Sequence, residues 1–296
     1  MGGDTAVQPL AAQNKILTRR RFLLGSVATA AGLALYSSEV ARHEISVLTH
    51  TIGIANLPDS FHNFRIAQIS DIHFDEFTEP AFVHRVVSHV NALQPDLVLL
   101  TGDYISFGPL SPSFAEGAMH HCGEVLSGLT APQRFASMGN HDSMLGSAVI
   151  RPILAGAGIT LLENQFTPIE RGGGRFWLSG ASDPVTTIPD LDLSIPSRPD
   201  GPVLLMCHAP DFADTVAAHP RGRLVDLMLS GHTHGGQVRL PFLPPMHLPE
   251  GGRKYVEGVF HIDKLQLYVN RGIGAVGVPF RLNCPPEITL FTLQRA

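Results

Sequence analysis

Cysteine is scarce in this chain: Cys122, Cys207 and Cys284 are the only three among 296 residues. They are too few and too far apart for a disulfide framework, and no two have the close spacing of a zinc-thiolate site. They read as small buried apolar residues, with a single disulfide open to an exported protein. Clustered positive charge is lacking as well. Residues 1–43 carry Lys15, Arg19, Arg20, Arg21 and Arg42 against Asp4 and Glu39, a local charge of +3 in a chain of −5. The remainder therefore stands at −8, with no Lys/Arg cluster after Arg42. Nucleic-acid phosphates need such clusters, so no nucleic-acid partner is expected. Internal repeats and low-complexity linkers are absent too. With 44% hydrophobic and 16% charged residues, the chain can bury one large core, and a single α/β domain of roughly 250 residues is within the normal range.

The one long apolar run lies near the N-terminus. Thr18-Arg19-Arg20-Arg21-Phe22-Leu23-Leu24 leads into an uncharged stretch from Phe22 to Tyr36. A basic segment followed by a short apolar one is a secretory signal, and the paired arginines read as its twin-arginine version. An amphipathic helix of the folded domain would need a polar face, and this stretch is apolar on all sides. It is short for a spanning helix, yet no clean A-x-A cleavage site follows near Ser37–Arg42, so an uncleaved membrane anchor stays open. The expectation is a signal or anchor over residues 1–43 and a functional domain over 44–296. That domain would stand in the periplasm or on the outer face of the inner membrane, held there through its N-terminus.

Beyond the signal, one arrangement recurs. Phe64–Ile69 alternates apolar and polar residues as a half-buried strand does, and Asp71-Ile72-His73 follows at once. Phe82, Val86, Val87, Val90 and Leu93 recur at helical spacing, predicting an amphipathic helix over Glu79–Ala92. Asp96–Leu100 is nearly all apolar, the pattern of a strand covered on both faces, and Gly102-Asp103 comes next. Arg134–Met138 precedes Gly139-Asn140-His141-Asp142, Val203–Met206 precedes Cys207-His208, and Leu227–Leu229 precedes Gly231-His232-Thr233-His234. Leu145–Ala155 and Asp211–Ala218 are helical candidates between them. Leu265–Val269 and Glu287–Leu293 are expected to complete a second sheet. In open α/β sheets ligands bind beyond the carboxyl ends of the strands. Five polar motifs in five such places point to one shared site.

The residue types point to metal. Two divalent ions a few ångströms apart repel, so they need a shared anionic ligand; Asp103 is the candidate bridge. Asp71 and His73 can chelate one ion, joined by His234, while Asn140, His208 and His232 can serve the other. This imidazole, carboxylate and amide-oxygen set suits Mn, Zn or Fe. A lone His is most often structural, and ten of the 15 histidines, including the adjacent His120 and His121, are given no role.

These ordered blocks, D-x-H, G-D, G-N-H-D, H and G-H-x-H, resemble those of the calcineurin-like metallophosphoesterase family, from about Phe64 to the C-terminus. The resemblance implies a four-layer α/β sandwich, two facing mixed sheets flanked by helices, with Asp71, His73, Asp103, Asn140, His208, His232 and His234 as ligands of two divalent transition-metal ions. Two further stretches, Gly231–Gln237 and Arg281–Ile288, look like a narrower branch of twin-arginine-exported or membrane-anchored bacterial phosphoesterases. That branch implies phosphodiester substrates, with a UDP-2,3-diacylglucosamine-type pyrophosphatase as the alternative. The protein phosphatases of the superfamily extend the Gly-Asp block with Asp-Arg-Gly. Here it reads Gly102-Asp103-Tyr104-Ile105-Ser106-Phe107, which speaks against protein phosphatase activity.

The mechanism so implied is hydrolysis of a phosphodiester or pyrophosphate bond by a hydroxide bridging the two ions. His141, beside a ligand, would protonate the leaving oxygen or stabilise the transition state. Asp142 would fix the loop or orient His141. The substrate would be a phosphodiester or a lipid or cell-envelope phosphate, and the apolar, Pro-rich loop Leu240–Met246 would be a rim for an acyl chain, a surface that docks on a membrane, or a packed loop. A catalytically inactive metal-binding scaffold is the remaining alternative. The motifs carry no signal for oligomeric state.

Overall fold

The computed structural model describes residues 19–74, 77–108 and 111–296. Thr18 and the residues before it, including Lys15 of the expected signal or anchor, lie outside the described residues. The strands are β1 (Ser46–Ile54), β2 (Arg65–Ile69), β3 (Leu97–Leu100), β4 (Gln133–Ala136), β5 (Thr160–Leu161), β6 (Gln165–Arg171), β7 (Gly174–Gly180), β8 (Val203–Met206), β9 (Leu227–Ser230), β10 (Gly258–Ile262), β11 (Leu265–Val269) and β12 (Glu287–Arg295). They form two six-stranded sheets, ordered β1-β12-β2-β3-β4-β5 and β10-β11-β9-β8-β7-β6. Both are mixed. In the first, β2 to β5 run parallel while β12 is antiparallel to β2. In the second, β7, β8, β9 and β11 run parallel, with antiparallel β6 and β10 at the edges.

Alternation along single strands explains the layers. Leu97 and Leu99 of β3, Leu204 and Met206 of β8, and Leu227 and Leu229 of β9 meet in one central cluster, the interface between the sheets. Their neighbours Val98 and Leu100 face outward onto the helices α2 (Pro80–Ala92), α3 (Pro112–Leu126) and α5 (Ser147–Gly156). Val203, Leu205 and Met228 face outward under α6 (Leu191–Ser194) and α7 (Ala213–Ala218). Strands buried on both faces must be apolar at every position, and three apolar layers between helices and two sheets make the expected four-layer sandwich. Pro occupies the first turn of α2 and of α3, where its missing N–H costs nothing.

Several boundaries shift. The strand expected at Arg134–Met138 is Gln133–Ala136, and the helix expected over Leu145–Ala155 is split. A short helix, α4 (Asn140–Leu145), ends at Gly146, whose φ of 98° stops it before α5 begins. The larger correction concerns Glu287–Leu293. It does not join the second sheet with Leu265–Val269 but inserts into the first as β12, parallel to β1 along nine residue pairs and antiparallel to β2. Strand pairing is a tertiary choice, and β1, the partner that decides it, is missing from the strands expected above.

The apolar N-terminal run is α1 (Arg19–Leu35), with no buried residue. It continues through turns to His43, giving 25 helical residues long and apolar enough to cross a membrane. The end of this segment is seated on the body. Ser37 and Ala41 are buried, the Ser37 carbonyl accepts from the Arg281 amide at 3.1 Å, and the Arg42 guanidinium pairs with Glu79 at 2.6 Å.

Candidate metal centre and active-site cleft

All five motifs lie just past the carboxyl ends of parallel strands: Asp71 and His73 after β2, Asp103 after β3, Asn140 after β4, His208 after β8 and His232 after β9. The first three belong to one sheet and the last two to the other, so the site is built where the two sheets meet. The turns that aim these side chains are tight. Asp71, His73, Asp103, His232 and His234 all have φ between 45° and 73°. The left-handed region costs an L-residue roughly 1–2 kcal/mol and persists where the surroundings enforce it. Here the backbone enforces it: Asp71 N donates to Gly102 O and His73 N to Asp103 O, at 2.9 and 3.0 Å. Gly231 permits the close approach of the sheets, since a Cβ there would stand 2.0 Å from Ser70 Oγ and 2.2 Å from Asp71 Oδ2.

Three clusters of donor atoms result among the described residues, Asp71/His73/His234, Asp103/His208/His232 and, between them, His73/Asp103/His141, the atoms within each lying within 4.8 Å of one another. Asp103 joins them: its Oδ2 is 3.0 Å from His208 Nε2 and 3.6 Å from His73 Nε2. In the first cluster His234 Nε2 lies 3.4 Å from Asp71 Oδ1 and 3.0 Å from His73 Nε2.

Hydrogen bonds to the outer ring nitrogens set the tautomers. A carbonyl oxygen only accepts, so His208 Nδ1–H donates to Thr101 O at 2.7 Å and His232 Nε2–H donates to Glu250 O at 2.7 Å. In its neutral form each ring presents its bare nitrogen to the cluster, as metal-ligating histidines do. Two buried atoms here, His208 Nε2 and Asn140 Oδ1, have no hydrogen-bond partner. A buried lone pair without a donor is costly, and a cation between Asp103, Asn140, His208 and His232 would satisfy both orphans at once. The donor set therefore fits divalent metal.

Electrostatics agree. Burial pushes Asp71 up to about 6, and it pulls His73 down to about 3 and His232 down to about 4. Burial also holds His234 well below its usual range. Burial, the largest single influence, would raise Asp103, but His208, His141 and His73 together outweigh it and hold the carboxyl well below the usual range. Burial would lower His208, but the Asp103 and Asp71 carboxylates hold it well above. A site that keeps one imidazole charged to balance its carboxylates is electron-rich, and a metal ion can take the proton's place.

A match to the calcineurin-like phosphoesterase family covers residues 64–236. The metallophosphoesterase YkuE of Bacillus subtilis is 32% identical over 95% of this chain and 99% of its own. The phosphodiesterase YaeI of Escherichia coli is 32% identical over 94% of this chain and 100% of its own. A transmembrane protein with a metallophosphoesterase domain from Danio rerio is 27% identical over 94% of this chain and 63% of its own. The chain belongs to the calcineurin-like phosphoesterase family. It is a metal-dependent phosphoric-ester hydrolase.

In this phosphoesterase the two remaining motif residues sit differently. His141 is partly exposed, and its ring lies beside His73 and Asp103, their donor atoms within 4.8 Å of one another; its Nδ1 is 2.8 Å from Phe107 N and 3.0 Å from Phe107 O, and its own amide donates to Asp103 Oδ1 at 3.0 Å. Asp142 is fully buried. Its carboxylate accepts from the amides of Asp103, Tyr104 and Gly139 at 2.6, 2.9 and 2.9 Å, so it ties the Gly-Asp turn to the Gly-Asn-His-Asp turn. Burial, and then the charge of Asp103, push it up to about 7.

Sequence reasoning missed four contributors. Ser106 Oγ lies 3.0 Å from His73 Nδ1. Arg281, fully buried, donates to the carbonyls of Gly274, Arg271 and Cys284, and its Nη2 is 3.2 Å from His234 Nδ1. Gln237 clamps the 276–278 loop, its amide group bonding to Val276 N, Val276 O and Val278 O at 2.9, 3.1 and 3.2 Å. His247, left without a role, lines the cleft. Gln237 and Arg281 both lie in the stretches that carry the branch resemblance, which was the available signal.

The cleft itself is a cavity of about 640 Å³ whose floor includes Asp103, Asn140, His141 and His232. Its far wall is apolar. The three cysteines are buried and free.

Proposed function

We propose that this enzyme is a binuclear phosphodiesterase, with one divalent cation held by Asp71, His73 and His234, a second by Asn140, His208 and His232, and Asp103 shared. The observation that carries this reading is the position of Asp103 Oδ2 between His208 and His73. When bound, the cations supply a hydroxide nucleophile near neutral pH and neutralise phosphate charge.

The chain's own residues do the rest. Asp71, Asp103 and their turns fix the donor geometry. His141, whose Nδ1 is held by both the amide and the carbonyl of Phe107, is placed, when protonated on Nε2, to give that proton to the departing alkoxide. Asp142 is a positioning residue that holds the His141 turn against Asp103. The substrate is a phosphodiester, in line with the activity named for YaeI.

Residues 1–43 act as a twin-arginine signal that remains as an anchor, and residues 44–296 form the phosphoesterase domain outside the cytoplasm. The exposed apolar α1 supports this placement, and the transmembrane relative carries a comparable domain. Twin-arginine export moves folded proteins, which suits an enzyme that takes up metal first.

The test is hydrolysis of bis-p-nitrophenyl phosphate beside p-nitrophenyl phosphate, with Mn or Zn. Faster metal-dependent turnover of the diester is expected. No hydrolysis of either compound by metal-loaded protein would leave the inactive scaffold as the reading.

A further inference from the structure

The far wall of the cleft has no part in metal binding and is unlike its floor. Val238, Met246, Val276, Val278 and Phe280 line it. A small, water-soluble phosphodiester gives such a wall nothing to bury. The surface does not end there. Beyond Met246, itself 71% exposed, the loop puts Leu243 at 59% and Phe242 fully in solvent, and Val278, another lining residue, is 45% exposed. The packed-loop reading of Leu240–Met246 therefore fails, and exposed apolar side chains stand on two loops that line the cleft, through Met246 and Val278. A contiguous exposed apolar patch on a soluble face marks a surface that meets another apolar phase.

What that phase is follows from the neighbouring chain. Phe280 directly precedes Arg281, and Val278 lies three residues before it; the Arg281 amide donates to Ser37 O at 3.1 Å. Ser37 lies two residues past the end of α1, the unburied apolar helix. The membrane-length segment thus leaves the body beside the lip of the cleft. A helix embedded in a bilayer from that point holds the rim near the lipid headgroups, where Phe and Leu side chains insert favourably. Gln237 fixes the wall's inner loop through three hydrogen bonds, so the apolar surface is built rather than collapsed.

Resting on the phosphodiesterase reading, we propose that the apolar half of the cleft is a chain subsite: the substrate phosphoester carries a long acyl or alkyl chain, and is drawn from a bilayer surface on which the Phe242/Leu243/Val278 rim docks. The chain lies along Val238, Val276, Val278 and Phe280, while the phosphate reaches the Asp103 centre. Water adds across one P–O bond, the leaving alcohol takes a proton, and the chain-bearing fragment keeps the phosphate or departs as the alcohol.

The experiment uses the full metal-loaded chain and two monomeric probes, p-nitrophenyl butyl phosphate and p-nitrophenyl octyl phosphate, in which p-nitrophenolate leaves. Burial of a methylene is worth roughly fourfold in binding, so the octyl ester should exceed the butyl ester at least about tenfold in kcat/KM, through KM. Val278→Asp should bring that ratio close to one. Equal kcat/KM for the two esters, or a ratio untouched by Val278→Asp, overturns the subsite. Bis-p-nitrophenyl phosphate run alongside keeps the two readings apart: if it too is not hydrolysed, the phosphodiesterase reading has failed instead. For the bilayer source, p-nitrophenyl hexadecyl phosphate is embedded in phosphatidylcholine vesicles. Phe242→Asp/Leu243→Asp should lower its turnover, relative to the octyl ester in solution, by about fivefold or more. An unchanged ratio overturns the bilayer source, as would loss of a concentration-dependent dimer in that variant, which would assign the rim to a second copy of the chain.

Discussion

His208 Nε2 and Asp103 Oδ2 stand 3.0 Å apart, yet the imidazole nitrogen has no hydrogen-bond partner. The proton of the neutral ring is fixed on the far nitrogen by Thr101 O, so two lone pairs face one another across this gap. In the metal-free protein a second proton on His208 relieves the repulsion, which is why the paired carboxylates hold that imidazole charged. A cation relieves it better, because it also takes up the lone pair of Asn140 Oδ1.

Asp103→Asn should therefore damage both metal positions at once. The amide keeps the shape and loses the charge that balances two cations. Elemental analysis of purified variant should find one metal per chain or none, against two in the parent. Diester turnover should fall at least about a hundredfold, the scale of losing a main electrostatic contribution. Two tightly held ions in the variant would show that Asp103 is not shared.

His141→Ala separates chemistry from metal binding. The ring is not one of the seven ligand candidates, and its nitrogen is held by Phe107 N. Turnover of a dialkyl phosphodiester, whose alkoxide needs a proton to leave, should drop by roughly 10²–10⁴-fold, with metal content unchanged. The loss should shrink for substrates with an acidic leaving group such as p-nitrophenolate, which departs without protonation. Metal loss in this variant would move His141 into the ligand shell.

How much of this was legible in the sequence depends on range. Leu97–Leu100 and Val203–Met206 announced themselves because a strand buried on both faces must be apolar throughout, and the polar motif after each marked its carboxyl end. The seven ligand candidates came with those strands. The place of Glu287–Arg295 did not, because its partner is set by packing against Ser46–Ile54, 241 residues earlier in register. Nor did Arg281, whose buried guanidinium meets only carbonyl oxygens and one imidazole; a lone Arg in a loop has no sequence pattern that foretells burial. Asp142 was legible by its place in Gly-Asn-His-Asp, but its role as a brace for three amides appears only in three dimensions.

Gly231→Ala tests the meeting of the two sheets. The added methyl would sit 2.0 Å from Ser70 Oγ and 2.2 Å from Asp71 Oδ2, so the Asp71 turn or the β9 end must shift. Overpacking of this kind costs about 1–3 kcal/mol. Chemical denaturation should show that loss, and the Asp71/His73/His234 position should empty at metal concentrations that fill it in the parent. A variant with parent stability and full metal content would mean the turns yield more easily than their hydrogen bonds imply.

His232→Gln gives the pH test. Burial, and then the charge of His208, hold this imidazole down to about 4 from an ordinary 6.5. Between those values the unfolded chain takes up a proton that the folded chain refuses. A depressed group contributes its stability above the unfolded value and loses it as pH falls through the folded one. At 1.4 kcal/mol per pH unit, the fall from 6.5 to about 4 is worth about 3 kcal/mol. Glutamine can still donate to Glu250 O but cannot titrate. Urea unfolding of metal-free parent and variant from pH 7 to pH 4 should therefore show the parent losing about 3 kcal/mol more than the variant, since the shifts of Asp71 and Asp142 are common to both and cancel. Parallel curves would mean that the ring is protonated as freely in the fold as in the open chain, and that it does not face the centre as a neutral nitrogen.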